Sequence, residues 1–217
     1  MKAKPSQGFL SFLIVMVVVL VFALPALAYQ YPLSSSDVRE AYLLGTRRDS
    51  LTASFFAKYR HDLRQRRSGP WVSDIIIETP YTQVVEMGQA DQNPDTQQAE
   101  IDLPKKNFLF IVRVGINFTD TYPSTPKNPP EPRPIIPDFE KDFKIRMSQK
   151  DKKIIQPSSV KTILLDSGDY GNGQITGAVL ELTYKTEDID PSGDLAIKVL
   201  TPDDQDVETT FDLNSLK

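Results

Sequence analysis

From Trp71 onward the apolar residues fall mostly at every second position, whereas between Asp37 and Leu63 they recur every three or four. A period of two is the signature of half-buried strands, and a period near 3.6 that of helices packed on one face. Val38, Ala41 and Tyr42 share a helical face, with Asp37 and Glu40 at capping-box spacing and Gly45 where a helix would end. Leu51, Phe55, Tyr59 and Leu63 then form a second stripe, which Asp49 or Ser50 can cap. Ser68-Gly69-Pro70 breaks this pattern. The two segments predict a short αα unit.

Beyond the break, Ile75, Ile76 and Ile77 run to Thr79-Pro80, and Val84 and Val85 could extend that strand across the proline as a bulged edge. Phe108, Phe110, Val112, Val114, Ile116 and Phe118 alternate with Leu109, Ile111, Arg113, Gly115 and Asn117, which predicts a central strand. The same beat recurs at Phe143, Ile145 and Met147, at Leu180, Leu182 and Tyr184, at Leu195, Ile197 and Val199, and at Val207, Thr209, Phe211 and Leu213. Thr201-Pro202-Asp203-Asp204-Gln205 reads as the turn of a final hairpin. No helical stripe follows Leu63, and Trp71 reads as a core residue. About seven short strands separated by Pro, Gly and Asp turns predict a mainly β fold. The expected form is an antiparallel two-sheet sandwich, immunoglobulin-like in the broad sense, preceded by the αα unit. An open barrel is the alternative.

The segment 88–107, rich in Gln, Asp and Asn, reads as a solvated loop. A proline-rich insertion at 119–137 includes Pro129, Pro130 and Pro132 and must be extended, because proline cannot donate to a ladder. Such a stretch could also dock in an aromatic groove.

The N-terminus changes the picture of where the chain works. Lys2 and Lys4 precede an apolar run from Phe9 to Leu24, and Pro25 leads into Ala26-Leu27-Ala28. A basic start, a hydrophobic stretch and a small-x-small site predict a secretory signal peptide over 1–28, cleaved near Ala28. The expected layout is then a helical segment over 29–69 and a sandwich over 70–217. The location is secreted or periplasmic, or membrane-anchored if the leader is retained, since Phe9 to Ala28 is long enough to cross a bilayer. The chain has no cysteine. Stability must therefore come from the core rather than from disulfides.

Composition narrows the chemistry. His61 is the one histidine, it stands among arginines, and there is no Gly-x-Ser-x-Gly elbow. Cysteine nucleophiles and zinc sites are excluded, a triad would have to use His61, and no catalytic role is expected. Asp188, Asp190, Ser192 and Asp194 match the first half of a calcium loop, but the twelfth position is Val199 where a bidentate acid is needed. They are weak calcium candidates; otherwise no cofactor is expected.

Net charge is −4, from 25 basic and 29 acidic residues, and it is unevenly spread. Arg47, Arg48, Arg60, Arg64, Arg66 and Arg67 cluster early, and acids dominate 187–212. Those arginines, with Pro129, Pro130 and Pro132, are the expected interaction surface, suited to a protein partner in the envelope or to an anionic surface. Nucleic acid is not an expected partner. The functional expectation is an exported, non-catalytic β-sandwich with a binding or structural role in the cell envelope. A carbohydrate- or calcium-binding domain using loop carboxylates and a membrane-tethered subunit are the alternatives.

Overall fold

The computed structural model describes residues 31–119, 139–149, 153–166 and 175–217. The leader and Pro129, Pro130 and Pro132 lie outside them.

Helix α1 (Ser35–Arg47) begins three residues earlier than its spacing suggests. Ser34 is the N-cap and Asp37 closes the capping box, with the Ser34 backbone N–H donating to Asp37 Oδ2 at 3.0 Å. Nor does Gly45 end this helix. It continues to Arg47, and Arg48 takes the left-handed conformation at φ 51°. Gly45 serves instead as a point of close approach, since a Cβ there would stand 2.0 Å from the Val85 carbonyl oxygen.

Helix α2 (Ser50–Phe56) is capped by Asp49, which accepts from the Leu51 and Thr52 amides. The expected stripe to Leu63 stops short. After a 3-10 turn the chain extends into β1 (Arg60–Asp62), because pairing with β2 (Trp71–Glu78) and burial of Tyr59 outweigh helical continuation. His61 is therefore a strand residue. Trp71 is half-buried rather than a full core residue.

Two further helices correct the reading of the segment after β2. Thr79 is an N-cap and Pro80 the first residue of α3 (Pro80–Ala90), so Val84 and Val85 lie on a helix and not on a strand. Proline suits the first helical turn because the amide it lacks would have no intrahelical partner there. The expected loop contains α4 (Thr96–Asp102), capped by Asp95. α1, α3 and α4 pack around Val38, Ala41, Tyr42, Tyr81, Val84, Val85, Ala99 and Leu103, forming a second hydrophobic cluster beside the sandwich.

The remaining strands are β3 (Phe110–Asn117), β4 (Lys144–Gln149), β5 (Lys153–Ile155), β6 (Ser159–Asp166), β7 (Ile175–Tyr184), β8 (Asp194–Leu200) and β9 (Asp206–Asp212). They form two sheets of order β1-β2-β3-β7-β6 and β5-β4-β8-β9, with every pairing antiparallel. Setting β1 aside, the orders β2-β3-β7-β6 and β5-β4-β8-β9 are the ABED and C′CFG orders of the immunoglobulin fold. α3 and α4 occupy the first connection of that fold. Where antibody domains carry a buried disulfide, this core is held by packed aliphatic and aromatic side chains. Phe110, Val112, Val114 and Ile116 of β3 face inward with Leu180 and Leu182 of β7, Met147 of β4, and Leu195, Ile197 and Val199 of β8.

The ends of the sandwich differ. Glu78, Phe110 and Tyr184 mark the end that meets the helices, where Tyr59 Oη and Thr79 Oγ1 donate to the Lys217 carbonyl at 2.8 and 2.9 Å. At the opposite end Trp71 pairs with Asn117 and Asn117 with Gly177. The β1–β2 loop and the β8–β9 turn lie at that end, in contact through Gly69 and Asp203.

Candidate binding surfaces

The two long sides of the sandwich are built in opposite ways. One side is formed by β1 and β9. β1 is three residues long and reads Arg-His-Asp, Arg60 pairs with Asp62 at 2.6 Å and Asp74 at 3.2 Å, and the His61 ring stands edge-on to Phe211 with centroids 4.5 Å apart. β9 presents Asp206, Glu208 and Asp212. Charged edges of this kind, and the shortness of β1, resist pairing with another chain.

The other side is formed by β5 and β6, consecutive edge strands of the two sheets joined by residues 156–158. Eight large hydrophobic residues are exposed among the described residues, and five of them, Ile154, Val160, Ile163, Leu164 and Leu165, lie on this side. Its sequence gave no clear warning. Ile163, Leu164 and Leu165 are consecutive and do not alternate, because neither face of β6 is buried. In register β6 is an ordinary strand, with Val160 opposite Leu182 and Thr162 opposite Leu180. Yet none of its side chains joins either hydrophobic cluster. Val160 and Leu164, on the face turned toward the core, stay 54% and 46% exposed, so β6 overhangs the four-stranded sheet.

The predicted arginine surface is divided. Arg47 pairs with Asp49, and Arg48 donates to the carbonyls of Gln89 and Asp91, so these two fasten helix ends together. Arg60 is engaged on β1. Arg64, Arg66 and Arg67 lie exposed in the β1–β2 loop at the far end of the sandwich, without ion-pair partners among the described residues. The early arginine cluster is thus divided into three groups, because α2 ends at Phe56 and the chain turns into β1.

A charged ladder missed in the sequence crosses the outer face of the five-stranded sheet. Arg113 Nη1 contacts Glu78 Oε1, and Arg113 Nε donates to Glu181 Oε2 at 3.1 Å. Lys161 stands opposite Glu181 in the ladder register. Glu78 is buried, and its Oε1 has the ion-pair contact but no well-directed hydrogen bond. Burial foremost, then the like charge of Glu86 on α3, pushes its carboxyl up to about 7 against the opposing pull of Arg113. Glu86 is raised as well, chiefly by burial. The signal was Arg113, a lone cation inside an otherwise apolar strand.

The calcium candidates do not converge. Asp190 Oδ1 accepts from the Ser192 amide at 2.9 Å and its hydroxyl at 2.7 Å, Asp188 ends a 3-10 turn, and Asp194 opens β8. Among the described residues no three Asp, Glu or His side chains are placed to hold a metal ion. Ser192 and Asp194 instead line an open depression of about 550 Å³ together with Ser148, Gln149, Thr210 and Asn214. No helix among the described residues is long and apolar enough to cross a membrane.

No protein-family model matches the chain, and no curated protein does. Among solved structures it is similar to an IgNAR antibody domain C1, at 11% identity and a TM-score of 0.31, over 69% of this chain and 97% of that domain. The sandwich assignment rests on the sheets and strand order themselves.

Proposed function

We propose that this chain is an exported, non-catalytic binding module of the cell envelope, and that it makes its contact through the β5/β6 side. One observation carries the reading: five of the eight large hydrophobics exposed among the described residues gather on one pair of edge strands, while the opposite pair exposes none and carries charged residues. Solvated edges that keep such a surface are recognised by strand addition, with main-chain hydrogen bonds supplying affinity and side chains supplying selectivity. The absence of cysteine makes the test direct. Ile163→Cys on the apolar side and His61→Cys on the charged side each give a unique site for a photo-crosslinker in the native host. Crosslinks from position 163 and not from 61, on a protein that has lost its leader, are the expected result. Equal or absent crosslinking at the two positions would sink the reading.

A second reading follows from the depression beside Ser192 and Asp194, whose hydroxyl and amide lining suits a small polyhydroxylated ligand. A saccharide panel read by melting temperature tests it. A shift abolished by Thr210→Val would support it.

A further inference from the structure

We propose that the occupant of the β6 edge is a second copy of this chain, paired β6 to β6 in antiparallel fashion about a two-fold axis through Thr162. The inference rests on the β5/β6 side being the contact surface, and adds what covers it.

An axis perpendicular to the sheet keeps the inward face of each copy on the same side, so residues that oppose one another must share a face. That restricts the registers available. Centring on Lys161 sets two lysines directly opposite, which is unfavourable. Centring on Ile163 sets Val160 opposite Asp166, an apolar residue against an acid. Centring on Thr162 meets neither objection. It pairs Thr162 with Thr162 of the partner subunit, and Val160 with the partner's Leu164 on both sides of it. Apolar pairs flanking a Thr–Thr pair are among the favourable cross-strand combinations. The overlap spans Ser159 to Leu165, nearly the whole strand.

Charge agrees with this arrangement. Lys161 already has Glu181 of its own chain opposite it in the β6–β7 register, so an incoming strand need bring no acid. The register sets uncharged Ile163 there. The overhang agrees as well. Val160 and Leu164 face inward yet have no four-stranded sheet above them, and in the pair they would cover one another across the axis. The two five-stranded sheets would then form one continuous sheet, and the exposed Ile154 residues of both β5 strands would lie on the same side of it. Isologous association of this kind closes on itself and leaves no free β6 edge for further growth.

The test uses the chain expressed with its leader in place and purified from the compartment it reaches. Sedimentation and native mass should show a dimer. Val160→Asp and Leu164→Lys, each alone, should raise the dimer dissociation constant by at least about tenfold, while circular dichroism, and melting at concentrations where parent and variant are both monomeric, stay unchanged because both side chains are exposed in the single chain. Combining the two substitutions sets each new acid opposite a new lysine of the other copy and should restore the dimer. Restoration is specific to the Thr162-centred register, and a folding defect would not produce it. A monomeric parent, a dimer indifferent to the single substitutions, or a double variant that stays monomeric overturns the proposal. A monomer that still crosslinks from position 163 to a different protein would overturn the self-pairing and leave the binding-module reading standing.

Discussion

The β1/β9 side and the β5/β6 side belong to the same two sheets and have the same kind of backbone, yet only the first is finished as a protein surface. On the β1/β9 side the edge strand is short, its three side chains are polar, and a ring contact to Phe211 ties it to the sandwich. On the β5/β6 side an eight-residue strand is held by β7 alone and carries apolar residues on both faces. Burial is what separates them. Where side chains reach the core, stability follows from packing; where they do not, the strand is held by ladder hydrogen bonds and its side chains remain for another molecule.

The largest break of this contrast should come from Phe211→Ala. It removes a side chain that is 2% exposed, together with the surface on which His61 rests, and should cost about 3–5 kcal/mol in denaturant unfolding. Gly45→Ala comes next. Its Cβ would press on a backbone carbonyl at 2.0 Å, so α1 and α3 must move apart at a cost of up to about 3 kcal/mol, with loss of near-ultraviolet signal from Tyr42 and Tyr81.

Glu78 sharpens the contrast through pH. Its carboxyl is raised from 4.5 to about 7, so the folded chain holds a proton that the unfolded chain has released across that interval. Its contribution to stability is therefore fully present below about 4.5 and is lost as pH rises through about 7. Glu78→Gln should remove this decline, gaining on the parent by about 1–2 kcal/mol between roughly pH 5 and pH 8. Association through β6 should not follow that curve, since none of the exposed apolar residues titrates. At the small end, Leu164→Ala should change stability by no more than about 0.5 kcal/mol, because the side chain is 46% exposed and outside the core.

What could be read from the sequence follows the same division. β3 was plain because Phe110, Val112, Val114 and Ile116 are all fully buried, and burial on one face is what writes alternation into a sequence. The β8–β9 hairpin was plain for the same reason, and Asp204 supplies the positive φ its turn requires. β6 was not legible because nothing buries it. α3 was misread because Thr79-Pro80 serves equally as the end of a strand and the start of a helix, and only the packing of Val84 and Val85 on α1 decides between them. The arginines could be seen as residues but not as a surface. Their separation depends on where α2 stops, which is set by Tyr59 reaching Lys217 far along the chain.

Tyr31 packs against both hydrophobic clusters at once. It lies at the junction of the helical cluster and the sandwich, and its hydroxyl donates to Asn107 at 2.8 Å. Arg64, Arg66 and Arg67 stand at the opposite end of the sandwich, away from that junction by the length of an eight-residue strand, about 25 Å. In the β6-paired dimer the strand directions are opposed, so each copy's helical end would lie level with the arginine-bearing end of the other.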